Sequence, residues 1–240
     1  MRLLLTRSLT DCESLARRLD GIGVQSLSEP LLNIVFTAGP PLDLDGVSGL
    51  LMTSANGVRA FCRRSVNRTL PVYAVGDASA RMAVEAGFEN VRSASGDVEA
   101  LATLVCREAD PDEGMLLHIA GTRVAGDLTG NLASRGYACR RQVLYDAVPS
   151  DGLSCNTATA IQSSELDGVL LYSPRTATLF IDLVRQAGLD PHMRDVAAYC
   201  LSGNVADRCR QLTWRNLRIA PIPEESELIA LIEEDTGGER

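Results

Sequence analysis

Lysine is missing from this chain: all 23 basic residues among its 240 are arginine. That absence removes Schiff-base chemistry, a Walker lysine and pyridoxal-phosphate attachment together. Anion binding is left to arginine, hydroxyls and backbone N–H groups. Histidine is nearly absent, with only His118 and His192, far apart and without ligand spacing around them. Seven cysteines, an odd number, are scattered with no C-x-x-C pair, which argues against a disulfide framework and a structural zinc site. No metal and no cofactor is expected. Long apolar runs are lacking too: Gly168–Tyr172 and Val196–Leu201 stop far short of the ~20 residues a membrane span requires. The opening stretch, Met1 to Arg7, is too short for a signal sequence. With a formal charge of −8, a broad nucleic-acid surface is disfavoured, because such surfaces neutralise phosphates with many basic side chains. No G-x-G-x-x-G follows a strand, which leaves a dinucleotide or flavodoxin-type function little support. The expectation is a cytoplasmic globular protein with neither nucleic-acid nor membrane partners.

What is present is apolar residue in quantity, 45% of the chain, enough for one large core or two of about 100–120 residues each. The stretch Asp167-Gly168-Val169-Leu170-Leu171-Tyr172-Ser173-Pro174-Arg175 reads as a strand buried on both faces that runs into a helix. Ser173 is placed to cap that helix and Pro174 fits its first position. Gly49-Leu50-Leu51-Met52-Thr53-Ser54-Ala55-Asn56 repeats the pattern earlier. In an open α/β sheet such junctions lie at the carboxyl edge of the strands, where ligands bind.

Other landmarks repeat in the same order. Leu4-Leu5-Thr6-Arg7 is echoed by Ile119-Ala120-Gly121-Thr122-Arg123, and Gly76, after the strand Tyr73–Val75, is echoed by Gly203, after Ala197–Leu201. The order favours an internal duplication. Helical spacing is read at Leu15 and Leu19, at Ala55–Arg63, at Val98–Val105 and at Leu128–Leu132. The loop Ala38-Gly39-Pro40-Pro41 is a composition shift that suits a domain crossing. Two extended segments, Ser28–Phe36 and Arg140–Pro149, stand at equivalent positions and are expected to pair as the link between two domains. The terminal stretch Pro221-Ile222-Pro223, the helix Ser226–Glu234 and a polar tail read in strand-then-helix order. Arg59, Arg63 and Arg64 are read as a solvated helix face and Asp77 as a cap.

The opening strand to Thr6-Arg7, the Met52-Thr53-Ser54-Ala55-Asn56 turn, Ala74-Val75-Gly76-Asp77-Ala78-Ser79-Ala80, Val143-Leu144-Tyr145 and Leu171-Tyr172-Ser173-Pro174 together resemble uroporphyrinogen-III synthase, from about residue 2 to residue 232. The resemblance implies two flavodoxin-like α/β parallel-sheet domains joined by a two-stranded β ladder, one discontinuous (1–35 plus 150–240) and one inserted (36–149). It implies a cofactor-free lyase that takes the linear tetrapyrrole hydroxymethylbilane, expels its hydroxyl as water, inverts ring D through a spiro intermediate and closes the macrocycle. It also implies a monomer whose partners are that small-molecule polycarboxylate and the enzyme that forms it. Tyr145 matches the family's tyrosine near the interdomain connection, which implies help in losing the hydroxyl.

Substrate contacts are expected from Ser54, Ala55 and Asn56, from Gly76 and Ser79, from Thr122 and Arg123, from Ser173 and Arg175, from Arg7, and from Gly203, Asn204 and Val205. Ser79 stands where the family often carries threonine. At Val205 or Ala206 a threonine of the family is missing, leaving backbone N–H donation from Asn204 to Ala206. Helix N-termini offer N–H donors and a favourable dipole without net charge, so an acidic protein can still bind a polyanion. The competing reading is a two-domain module that binds a small anion, or senses it, without chemistry.

Overall fold

The computed structural model describes residues 1–124 and 126–237, so the end of the polar tail lies outside the described residues. In chain order the elements are β1 (Arg2–Leu5), α1 (Leu9–Asp20), β2 (Gln25–Ser28), β3 (Leu32–Phe36), β4 (Val47–Met52), α2 (Ala55–Cys62), β5 (Val72–Ala74), α3 (Asp77–Glu85), β6 (Val91–Ser93), α4 (Val98–Glu108) and β7 (Met115–Gly121). There follow α5 (Leu128–Ser134), β8 (Cys139–Pro149), α6 (Cys155–Gln162), β9 (Gly168–Leu171), α7 (Pro174–Gln186), a 3-10 turn (Asp190–Asp195), β10 (Ala197–Cys200), α8 (Gly203–Cys209), β11 (Asn216–Ile219) and α9 (Glu225–Gly237). They divide into two compact units, one made of Met1–Asn33 with Val148–Arg240 and the other of Ile34–Ala147.

The first unit carries a five-stranded sheet in the order β11-β10-β9-β1-β2, with every pair parallel. Its inner strands β1, β9 and β10 are nearly continuous apolar runs because both faces are covered, while the edge strands β2 and β11 are mixed. Leu4, Val169, Leu171 and Ala198 point to one face, under Phe180 and Val184 of α7. Leu3, Leu5, Leu170 and Tyr199 point to the other, under Leu15 and Leu19 of α1 and Leu228 and Ile232 of α9. Helix α7 begins as its sequence directs: Ser173 accepts the Thr176 N–H at 3.1 Å, and Pro174 occupies the first turn. Gly168 is obligatory at the start of β9, since a Cβ there would lie 2.7 Å from the Tyr199 ring.

The second unit carries the sheet β3-β8-β7-β4-β5-β6, parallel from β8 to β6. The period-two alternation sends Leu50, Met52, Leu117 and Ile119 toward Val58 and Phe61 of α2. Leu51, Tyr73 and Leu116 go toward Leu101 and Val105 of α4 and Leu128 and Leu132 of α5. At its edge β3 lies beside β8; the Thr37 N–H donates to the Leu144 carbonyl at 2.8 Å and the Ser150 N–H to the Leu31 carbonyl at 3.0 Å. These partners run in opposite senses, so the pair is antiparallel. The chain passes from one unit to the other inside these two strands, ahead of the proline loop at 38–41.

Taking β9, β10, β11, β1 and β2 as first to fifth, the first sheet has the order 3-2-1-4-5, and β4, β5, β6, β7 and β8 give the second sheet the same order. The paired landmarks then coincide: Ser54 with Ser173 after the first strand, Gly76 with Gly203 after the second, Arg123 with Arg7 after the fourth. Each unit is thus built from three strands of one sequence repeat and two of the other.

Three readings are corrected. The C-terminal strand is Asn216–Ile219, ahead of Pro221 and Pro223, because proline has no N–H to donate to a ladder. Arg63 and Arg64 are solvent-facing but lie past the end of α2 rather than on its face: Arg63, exposed, stacks over the Phe36 ring at 4.3 Å, and Arg64 donates to the carbonyls of Pro40 (2.8 Å) and Thr37 (3.1 Å), strapping the loop after β3. Asp77 does not cap; Gly76 is the N-cap of α3, and the Asp77 carboxylate accepts from Ser93 at 2.5 Å and Ser95 at 2.8 Å, which lowers its pKa.

One acid is fully internal to the first unit. Glu29, 5% exposed, accepts from the Ser154 N–H (3.1 Å), the Ser154 hydroxyl (2.5 Å) and the Thr157 hydroxyl, and so sits on the N-terminus of α6.

Candidate functional site

Each unit gathers its candidate residues at the carboxyl edge of its own sheet. In the second unit Ser54, Ala55 and Asn56 follow β4, Gly76 and Ser79 follow β5, Thr122 and Arg123 follow β7, and Tyr145 comes from β8. The strand order reverses between β4 and β7, the place where open α/β sheets hold ligands.

The closest meeting of expected residues is Ser54 with Tyr145. The two hydroxyls lie 2.8 Å apart, though the residues are far apart in sequence. Ser54 has extended backbone and caps α2, accepting the Gly57 N–H at 3.3 Å. Tyr145 reaches it through an irregularity in β8. Ala120 of β7 faces Val143, but the next residue, Gly121, faces Tyr145, so Leu144 is an extra residue. Without this bulge Tyr145 would share the face of Val143; with it, the ring turns to the face of α2 and packs near Val58, Phe61 and Ile119. Gly121 makes the room, since a Cβ there would lie 2.8 Å from Tyr145 Cε2 and 3.0 Å from Cζ. Gly121→Ala should therefore cost about 1–3 kcal/mol through overpacking, seen as a lower urea midpoint with an unchanged slope; an unshifted midpoint would show that the ring moves aside freely.

The neighbouring groups brace this corner. The Thr122 N–H donates to the Tyr145 carbonyl at 3.0 Å, and the Thr122 hydroxyl donates to Asp146. Arg141 donates to the carbonyls of Gly121 (2.7 Å) and Thr122 (2.8 Å), closing the end of β7. Asn56 accepts from Arg59 at 2.8 Å. Gly76 opens on free space, and its carbonyl takes the N–H groups of Ser79 and Ala80, while the Ser79 side chain is buried. Arg123 is exposed.

Sequence reading passed over His118. It lies on the opposite face of β7, 2% exposed, with Nε2 3.3 Å from the Thr53 hydroxyl and Nδ1 without a partner among the described residues. Burial, reinforced by the Arg141 cation, pushes its pKa down to about 4 and keeps the imidazole neutral. Among the described residues no three His, Cys, Asp or Glu side chains could hold a metal ion, and no helix is long and apolar enough to cross a membrane.

In the first unit Ser173 caps α7 and shares a 2.6 Å hydrogen bond with the Thr176 hydroxyl. Arg175 is half-buried just inside the same helix. Arg7, expected to meet ligand carboxylates, is engaged by the protein: Glu225 of α9 accepts from it at 2.7 Å, and its guanidinium lies 4.7 Å over the Tyr172 ring. Glu225 also accepts from Arg18. Burial, with Glu225 nearby, raises the Tyr172 pKa far above the ordinary phenol range. No local pattern could have announced Glu225, which comes from the far end of the chain. Gly203 opens on free space and Asn204 is exposed. Val205 offers no side-chain contact: it is buried in the core beside Ala206, and the N–H groups of both donate to the Ser202 carbonyl at 3.1 Å, so two of the three expected backbone donors are engaged inside the turn.

A family profile described as Uroporphyrinogen-III synthase HemD matches residues 13–230. Among solved structures, the uroporphyrinogen-III synthetase from Helicobacter pylori is 15% identical, with 98% of this chain and 99% of that chain covered and a TM-score of 0.64. A mutant uroporphyrinogen III synthase from the extremely thermophilic bacterium Thermus thermophilus is 17% identical, with 98% and 97% covered and a TM-score of 0.57. At these identities the two likenesses are likenesses of fold.

Proposed function

This chain belongs to the uroporphyrinogen-III synthase family, and from that premise we propose that Tyr145 is the proton donor of its reaction. The reaction closes hydroxymethylbilane to uroporphyrinogen III, with loss of water and inversion of ring D, and needs no cofactor. The observation that carries the proposal is the Tyr145 hydroxyl, turned by the β8 bulge to the N-terminal end of α2 at the carboxyl edge of its sheet. A hydroxyl is a poor leaving group until it is protonated, and a positioned phenol supplies that proton.

Binding has a separate basis. Each unit offers carboxylates of the bilane helix N-termini of its own: those of α2 and α3, with the charge of Arg123, in the second unit, and that of α7, with the charge of Arg175, in the first. Ser173 and Thr176 offer paired hydroxyls at the start of α7. Arg7, held by Glu225 through one guanidinium nitrogen, keeps further N–H donors for the substrate. Holding the bilane folded so that its reacting ends meet supplies the rest of the rate. The same reading makes the protein a cytoplasmic monomer fed by the enzyme that forms the bilane.

The test is isomer analysis. Freshly generated hydroxymethylbilane is mixed with the purified protein, the products are oxidised, and the type I and type III isomers are separated. Bilane closes to type I unaided, so the ratio alone is diagnostic. Predominantly type III is expected. Type I alone from the folded protein would overturn the reading and leave an anion-binding module.

A further inference from the structure

We infer that Ser54 is a positioning residue for Tyr145: it donates its proton to the phenol oxygen, so that the proton of Tyr145 itself is presented to the departing hydroxyl. The inference rests on Tyr145 being the proton donor and goes beyond a contact between Ser54 and substrate.

Proton counting allows either hydroxyl of the pair to donate, and the role of Tyr145 as proton donor selects Ser54. A serine hydroxyl has one proton to give and two lone pairs to accept with. The Gly57 N–H, 3.3 Å away, uses one lone pair of Ser54, and the phenol oxygen lies 2.8 Å off. If Tyr145 donated to Ser54, its proton would be held inside the pair and out of the substrate's reach. With Ser54 donating, the Ser54 hydroxyl proton is used and the phenol proton remains outward; the Gly57 N–H, which also reaches the Ser54 carbonyl at 3.0 Å, is satisfied in either case. The bulge at Leu144 and the missing Cβ of Gly121 bring the ring to this side of the sheet.

The step balances. The Tyr145 O–H bond breaks as its proton joins the hydroxyl of the bilane; the C–O bond breaks with its electron pair leaving on the oxygen, and water departs. A cation remains on the bilane and a phenolate on Tyr145. The phenolate keeps the Ser54 O–H as donor and faces the positive end of α2. It is reprotonated when the closing macrocycle gives up a proton, so the net loss is one water.

The experiment compares Ser54→Gly, Ser54→Thr, Tyr145→Phe and the Ser54→Gly/Tyr145→Phe double variant, reading kcat, KM and the urea midpoint of each. Glycine is nearly as good an N-cap as serine, so Ser54→Gly removes the hydroxyl while keeping the helix start. Ser54→Gly should lower kcat about tenfold with KM changed less than about twofold. Ser54→Thr should recover kcat to within about threefold of wild type. In the Tyr145→Phe background, Ser54→Gly should change kcat by less than about twofold, because the group it positions is gone. Additive losses in the double variant, or a raised KM with kcat unmoved, would overturn the inference and make Ser54 a direct substrate contact. Unchanged kcat in Tyr145→Phe alone would overturn the proton-donor reading itself, an outcome told apart because it is read without touching Ser54.

Discussion

Tyr145→Phe should lower turnover by about 10–100-fold, equivalent to roughly 1.4–2.7 kcal/mol of transition-state stabilisation. The substitution removes one oxygen and leaves the ring that packs near Phe61 and Ile119, so core and bulge are retained. Loss of the hydrogen bond to Ser54 costs about 1 kcal/mol of stability, and Ser54 keeps its cap on Gly57. A general acid contributes when the C–O bond is breaking, so the loss falls on kcat and kcat/KM alike and KM moves little. Initial rates of uroporphyrinogen III formation, with the isomer ratio measured in parallel, provide the check. Residual product should still be type III, because folding the bilane is left to groups the substitution does not touch. Full turnover by the folded variant would remove Tyr145 from the mechanism.

The protein should also lose about 3 kcal/mol of stability through His118 as the pH falls from 6.5 to 4. The folded pKa, about 4, lies below the ordinary histidine value of 6.5. Above pH 6.5 the imidazole is neutral in folded and unfolded chains alike, and its contribution is fully present. Between the two values the unfolded chain takes up a proton that the folded chain refuses, and stability drains away. The physical cause is the site: 2% exposure, one 3.3 Å partner at Thr53, none at Nδ1 among the described residues, and the Arg141 cation beside it. Urea unfolding of the wild type and of His118→Leu at pH 7, 5 and 4 isolates the effect. Carboxylates such as Asp77, whose lowered pKa also makes stability fall with pH, act equally in both proteins and cancel. Parallel declines would show that His118 takes its proton without unfolding.

Much of the framework was legible because it is local. The apolar runs of β1, β4 and β9 announce strands buried on both faces, and Ser54, Ser173 and Pro174 announce the helix starts behind them. The repeated landmarks at Arg7, Ser54 and Gly76 fall at matching edges because both sheets share one strand order. The candidate residues were legible as types and as positions at the strand ends, but their contacts were not. The bulge at Leu144 leaves no trace in pattern, since Val143, Leu144 and Tyr145 are all apolar and suit either register. Only a slip of one residue decides which face the phenol takes. Val205 shows the converse: its position in the turn is as expected, but a buried apolar side chain and a spent N–H leave it nothing to offer. His118 looked bland because a lone histidine carries no spacing. Glu225 was out of reach because its partner Arg7 lies at the other end of the chain.

The discontinuity of the first unit sets an order of assembly on the ribosome. All strands of the second unit's parallel sheet have emerged by Pro149, and nothing it needs comes later. The first unit's opening piece, β1-α1-β2, must wait for β9, whose Gly168–Leu170 pair with Leu3–Leu5. Synthesis at about 5–20 residues per second leaves β1 with one parallel neighbour and an open apolar edge for many seconds while the inserted unit completes. Nascent-chain protection should therefore appear first in residues 34–147 and only later at Leu3–Leu5. That interval of waiting, rather than any weakness in the finished sheets, is where a trapping chaperone would find this protein.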